Sequence, residues 1–168
     1  MNYGRKSAIS RTDSCFGADL NPEVSSRGSE PDYARMTAAR ITQLGPPEII
    51  SVADADVPEP GELEVLVRVS AAGVGPWDAS VRTGKSGLPI APPLTLGAGI
   101  SGVVEPGDEV FGSTNPMFIN GYAEYAIASA RMITRKSAAL SHIEAAAMPV
   151  VGVMTWQMLF DHAAVREG

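Results

Sequence analysis

From Glu64 to Gly84 the chain runs EVLVRVSAAGVGPWDASVRTG, a strand that alternates and then breaks at a fixed point. Val65, Val67 and Val69 fall on one side and Leu66, Arg68 and Ser70 on the other, the period of a half-buried β-strand. Gly73, Gly75 and Pro76 then stop the strand, and a short helical turn is expected over Trp77–Arg82. A strand whose C-terminal end enters a Gly-Pro bend and a helix start is a place where a site can be built. The same residues also suit a plain structural corner of a β-domain, and taken alone they favour the corner.

The punctuation repeats through residues 36–140. Strands are expected over Thr37–Leu44, Ile49–Val57, Leu63–Ala71, Leu94–Glu105, Glu109–Gly112, Tyr122–Ser129 and Met132–Arg135. Gly45-Pro46-Pro47 and Glu105-Pro106-Gly107-Asp108 separate them as turns, because Pro presets one backbone angle and Gly accepts a positive φ. Many short strands parted by Gly and Pro imply a mainly β fold with short helices, a small barrel or sandwich.

The two ends differ from this middle. Residues 1–35 are rich in Ser, Arg, Gly, Asp and Pro with scattered apolar positions, the composition of a disordered tail. Asp13, Asp19 and Glu23 speak against a transit peptide, and a start at Met36 is the other option. At the far end Ser141-His142-Ile143-Glu144 is a capping box, and Pro149 suits the first turn of the next helix. His142 is expected on that helix's surface, and His162 at the favourable C-terminus of the last helix. Between Val150 and Val165 apolar residues lie all round the helix, which should therefore be buried on every side. The sequence supplies nothing after it to do so, which suggests a bridge into a second domain absent from this chain.

With 168 residues, 45% of them hydrophobic, the chain has enough material for one domain with a genuine core. A net charge of −6 argues against nucleic-acid binding, which needs a basic face. Cys15 stands alone, so no internal disulfide can form and a reducing, cytoplasmic compartment is expected. His142 and His162 without a second cysteine argue in composition against an ordinary zinc site. No apolar run approaches the roughly 20 residues of a membrane span.

Beyond these features, AARITQLGPPEII, VPEPGELEVLVRVSAAGVGPWDASVRTG, LTLGAGISGVVE, PGDEVFG, GYAEYAIAS and SHIEAAAMPVVGVMTWQMLFDHAAVREG follow one another in unbroken order from Met36 to Gly168. Together they resemble the N-terminal catalytic, GroES-like domain of medium-chain dehydrogenases/reductases, in the zinc-independent quinone oxidoreductase branch. The resemblance implies a GroES-like barrel over 36–140 and a helical bridge over 141–168 that leads towards an absent Rossmann domain. It also implies hydride transfer from NADPH to a small carbonyl or quinone substrate in the cleft between the two domains.

The departures from that pattern matter. Zinc-dependent relatives carry a Cys at the position of Gly75, His and Glu at Ala98 and Gly99, and a Cys near Val150, so the resemblance implies no zinc here. In the zinc-free branch the Gly75 position is typically Asn, beside nicotinamide and substrate, and a Thr stands at Met154, where this chain has Thr155 one residue late. The resemblance thus puts Gly75, Pro76, Met154 and Thr155 at the cofactor and Trp77, Asp78 and Tyr122 at the substrate pocket, and assigns no catalytic residue. Asp78 is expected to anchor the corner by hydrogen bonds, and Tyr122 and Tyr125 to pack on a strand. Relatives have about ten more residues between the Val103-Val104-Glu105 strand and Pro106-Gly107-Asp108, a clipped hairpin in this chain. No Gly-x-Gly-x-x-Gly strand–turn–helix is present to hold a pyrophosphate. The expectation is the N-terminal half of an NADP-dependent reductase, inactive alone, that self-associates through the Pro149–Val165 helix. The alternative is a non-enzymatic binding module or a truncated remnant of such a gene.

Overall fold

The computed structural model describes residues 35–104 and 107–166. The tail expected at the N-terminus, and half of the Glu105–Asp108 turn, lie outside the described residues. The fold is mostly β. In chain order it runs β1 Arg35–Ile41, β2 Ser51–Asp56, β3 Glu64–Ala72, α1 Pro76–Arg82, β4 Leu94–Thr95, β5 Gly99–Val104, β6 Asp108–Ser113, β7 Tyr125–Ser129, β8 Ile133–Arg135, α2 His142–Ala147 and α3 Pro149–Trp156, which continues as a π-helical turn over Gln157–His162.

Two antiparallel sheets curl against each other, β2-β1-β4 and β7-β3-β5-β6-β8. An Ala38–Ala123 bridge links them, supported by an Ala39 N–H donated to Tyr122 O at 2.8 Å. The larger sheet is centred on β3 and β5, and its inward residues Val67, Ile100, Val110, Ala126, Ala128 and Ile133 form one core cluster. The alternation of β3 holds: Val67 is fully buried, while Arg68 and Ser70 face solvent. A second cluster of Ile41, Val81, Leu94 and Leu96 fills the space under α1. There the Arg82 guanidinium donates to Gly45 O, and Gly45 N–H returns the bond to Arg82 O at 3.1 Å.

Several strand limits differ from the sequence expectation. The stretch Leu94–Glu105 is not one strand, because β4 joins the small sheet and β5 the large one. The chain changes sheets at Gly97, whose φ of +98° is left-handed, and where a Cβ would crowd the backbone nitrogen of Tyr122 at 2.8 Å. The strand expected over Tyr122–Ser129 begins only at Tyr125, since Tyr122 donates its N–H to Leu96 O at 2.8 Å across that switch. Pro47–Ile49 makes a 3-10 turn, so β2 starts at Ser51. β5 and β6 pair from Gly99–Ser113 to Val104–Asp108 and are joined through residues 105–107.

At the C-terminal end the capping box forms as read, with Ser141 Oγ accepting from Glu144 N–H at 3.3 Å and Glu144 Oε2 accepting from Ser141 N–H at 2.9 Å. His142 is half-buried and turned towards the sheet. Its Nδ1 is 2.7 Å from Ser101 Oγ, on a fully buried residue of β5, and its Nε2 is 3.3 Å from Glu109 Oε1 on β6. α3 leaves the barrel after Pro149, which is buried, and its apolar residues from Val151 to Phe160 are exposed instead of enclosed. Among the described residues no helix is long and apolar enough to cross a membrane.

Candidate functional site

The corner after β3 is built from backbone upward. Gly73 N–H donates to Gly99 O at 2.9 Å, which ties the strand end to β5. Gly75 is the N-cap of α1 with Pro76 in the first turn, where its missing N–H costs nothing. With no side chain at Gly75, capping comes from one direction only, as Asp78 Oδ2 accepts the Gly75 N–H at 2.8 Å. The Tyr122 hydroxyl lies 2.9 Å from the same oxygen and 3.3 Å from Gly73 O. Its single proton goes to the carboxylate, the closer and charged acceptor.

Asp78 is 5% exposed, and its Oδ1 has no partner among the described residues. Burial pushes the Tyr122 hydroxyl far above the usual phenol range, and the neighbouring Asp78 carboxylate pushes it further. Tyr122 therefore stays a neutral donor across all physiological pH. Asp78 acts as an anchor of the corner, as the sequence indicated. Tyr122 lies just before β7 and packs against the Ile41, Val81, Leu94 and Leu96 cluster, while its hydroxyl ties that segment to α1; Tyr125 is half-buried on β7 itself.

Trp77 occupies the space in front of Gly75. A Cβ on residue 75 would fall inside the contact radius of three indole ring carbons, Cζ2, Cε2 and Cη2. The indole Nε1 is buried and unpartnered among the described residues. Of the candidate site residues, the structure thus brings together Gly75, Pro76, Trp77, Asp78 and Tyr122. Met154 and Thr155 stand apart, exposed on α3, with no hydrogen bond to the corner among the described residues. The positions that carry zinc ligands in metal-dependent relatives hold buried Ala98, Gly99 against Ala146 O, and half-buried Val150. No group of three His, Cys, Asp or Glu lies together among the described residues.

Two features escaped the sequence. One is the chain Ser101–His142–Glu109–Lys136, in which Glu109 Oε2 is 3.0 Å from the buried Lys136 ammonium. Lys136 lowers the Glu109 carboxyl below its ordinary value, first by its hydrogen bond and then, more weakly than desolvation opposes it, by its charge. Ser101 is wholly buried, so this is a strut and not a nucleophile with its base. A lone serine in an otherwise apolar strand was the only signal for it. The other is a cleft of about 340 Å³ between the sheets, lined by Arg40, Asp56, Thr95, Asn120 and Tyr125 among others, and by none of the corner residues.

Comparison with known proteins places this geometry. Residues 61–138 match the alcohol dehydrogenase GroES-like domain. Human quinone oxidoreductase is 31% identical over 144 residues, which cover 79% of this chain and 43% of that protein. The quinone oxidoreductase of Coxiella burnetii superposes with a TM-score of 0.70 at 31% identity, covering 80% of this chain and 47% of its own. A mycobacterial protein, Rv1454c complexed with NADPH, superposes with a TM-score of 0.70 at 27% identity, over 79% of this chain and 43% of its own. The chain spans under half the length of each. Residues 61–138 carry a GroES-like alcohol dehydrogenase domain, and the chain is similar to the quinone oxidoreductases of the medium-chain dehydrogenase/reductase superfamily.

Proposed function

We propose that these residues form the substrate-side half of an NADP(H)-dependent reductase of quinones or α,β-unsaturated carbonyls that uses no zinc. The observation that carries it is the corner itself. Glycine, a buried aspartate anchor and an indole meet at the end of β3, in the fold that the quinone oxidoreductases share. The NADPH bound by the mycobacterial relative supports the same cofactor class. The cofactor would supply the hydride, and the chain's own residues would orient the acceptor and keep water out, contributions that need no acid–base pair.

The cofactor fits this chain on one side only. Trp77 fills the space before Gly75, so a flat ring at the corner would lie against the indole, and Met154 and Thr155 would have to approach it from α3. None of the described residues forms a glycine-rich strand–turn–helix that could grip a pyrophosphate. These 168 residues alone are therefore expected to give no NADPH oxidation with a quinone acceptor, whereas the product made from the native locus should turn over and keep doing so in EDTA. Turnover by the 168 residues alone would refute the half-site, and loss of activity on chelation would refute zinc independence. The exposed face of α3 favours a second function, a binding module, which predicts no turnover at either length.

A further inference from the structure

We infer that Trp77 sets acceptor specificity at this corner, its indole standing in for the side chain that residue 75 lacks and selecting planar acceptors with a carbonyl oxygen at the ring edge. The inference rests on the reductase function proposed above and names the group in this chain that meets the acceptor.

The steric observation comes first. Gly75 has an extended backbone, φ −137°, which any residue can adopt, so conformation does not require glycine there. What forbids a side chain is Trp77, since a Cβ at residue 75 would overlap the indole. Glycine at 75 and tryptophan at 77 are therefore one feature: the bulk that a residue at 75 would place in the corner is delivered from two residues on, in the first turn of α1, as a flat aromatic surface. Trp77 is only half buried, so part of that surface remains open.

Hydrogen bonding gives the second observation. The indole N–H is a donor without an acceptor among the described residues, and a buried donor left unpaired costs free energy. No hydrogen bond holds the ring in its resting position, so an acceptor oxygen brought by a ligand can draw it round. Quinones fit on both counts. They are planar, they stack on an aromatic face, and their oxygens accept without donating. A branched aliphatic enone offers the oxygen but not the face.

The experiment uses the whole chain with Trp156 replaced by Phe, which leaves Trp77 as the sole tryptophan. Duroquinone, whose ring carbons are all methylated and do not add thiols, is titrated against tryptophan emission, because a quinone in contact with an indole quenches it. Saturable quenching is expected, relieved by competition with non-quenching isophorone only at tenfold or higher concentration. Ligand-observed NMR then compares both probes on W77F and W77V. W77F should keep the preference for duroquinone within about threefold, retaining the face and losing the N–H, and W77V should lose it at least fivefold. W77V binding duroquinone in the same ratio to isophorone as the parent would overturn the inference and leave the reductase corner standing. Binding of neither probe by the parent chain would overturn both.

Discussion

At residue 75 the absence of a side chain is explained by a neighbour, and this can be measured without any ligand. Gly75→Ala adds one methyl group into the indole of Trp77, and overpacking of this kind costs about 1–3 kcal/mol. In a Trp77→Val background the methyl group has room, so the same substitution should cost less than about 0.5 kcal/mol, the range of a neutral change. Urea unfolding of the four proteins gives the coupling directly. Equal costs in both backgrounds would show that the ring does not hold the position. Glu109 offers a second test at the same scale. Its carboxyl is held below the ordinary 4.5, chiefly by the Lys136 hydrogen bond. A depressed folded value means that its stabilisation is complete above pH 4.5 and is lost as pH falls through the folded value. The thermal midpoint of the parent should therefore drop more steeply than that of Glu109→Gln below pH 4.5, the two curves converging at the acid end. Parallel curves throughout would mean that the ion pair adds nothing.

Among the elements, α2 holds the C-terminal helices to the barrel. Its N-terminus is closed by the reciprocal Ser141–Glu144 bonds, and backbone and side-chain hydrogen bonds from Ser141 lower the Glu144 carboxyl. Ser141→Ala should cost about 1 kcal/mol, the usual loss of an N-cap hydroxyl, visible in chemical denaturation; an unchanged midpoint would mean that His142 alone pins the helix. This cap was legible in the sequence because its residues are three apart and act locally, and so was β3, whose alternation depends on its own side chains. The limits of β4, β5 and β7 were not. Leu94–Glu105 reads as one extended stretch, yet its two halves pair with different sheets, a choice made by partners far along the chain. Tyr122 looks like the start of a strand until its hydroxyl is seen to meet Asp78, 44 residues away. The Ser101–His142 contact bridges 41 residues and left no periodic trace. In the candidate site, the local pieces from Gly75 to Asp78 could be read, and the Trp77–Gly75 overlap needed the structure.

For the molecule as a whole, the governing fact is the apolar surface of α3 and its π-helical turn. From Pro149 to Phe160 the sequence PVVGVMTWQMLF has no charge, and Val153, Met154, Trp156 and Met158 are each more than half exposed. Trp156 and Phe160 pack on each other, ring centres 4.5 Å apart, and both remain exposed. Soluble monomers seldom leave so continuous a patch in water, and each large apolar side chain removed from solvent contributes about 1.5–3 kcal/mol. When these residues are the whole protein in solution, a second copy is the partner always present at the concentration of the first. Self-association through this helix should follow, with a mass by light scattering that rises with concentration above 17.5 kDa. Met158→Glu with Phe160→Glu puts two like charges into the face and should return the chain to a monomer, with an unchanged far-ultraviolet spectrum because the barrel core lies elsewhere. A parent chain that stays monomeric at millimolar concentration would show that the helix folds back onto its own barrel. Association that survives both glutamates would move the interface to another surface, with the cleft between the sheets next in line.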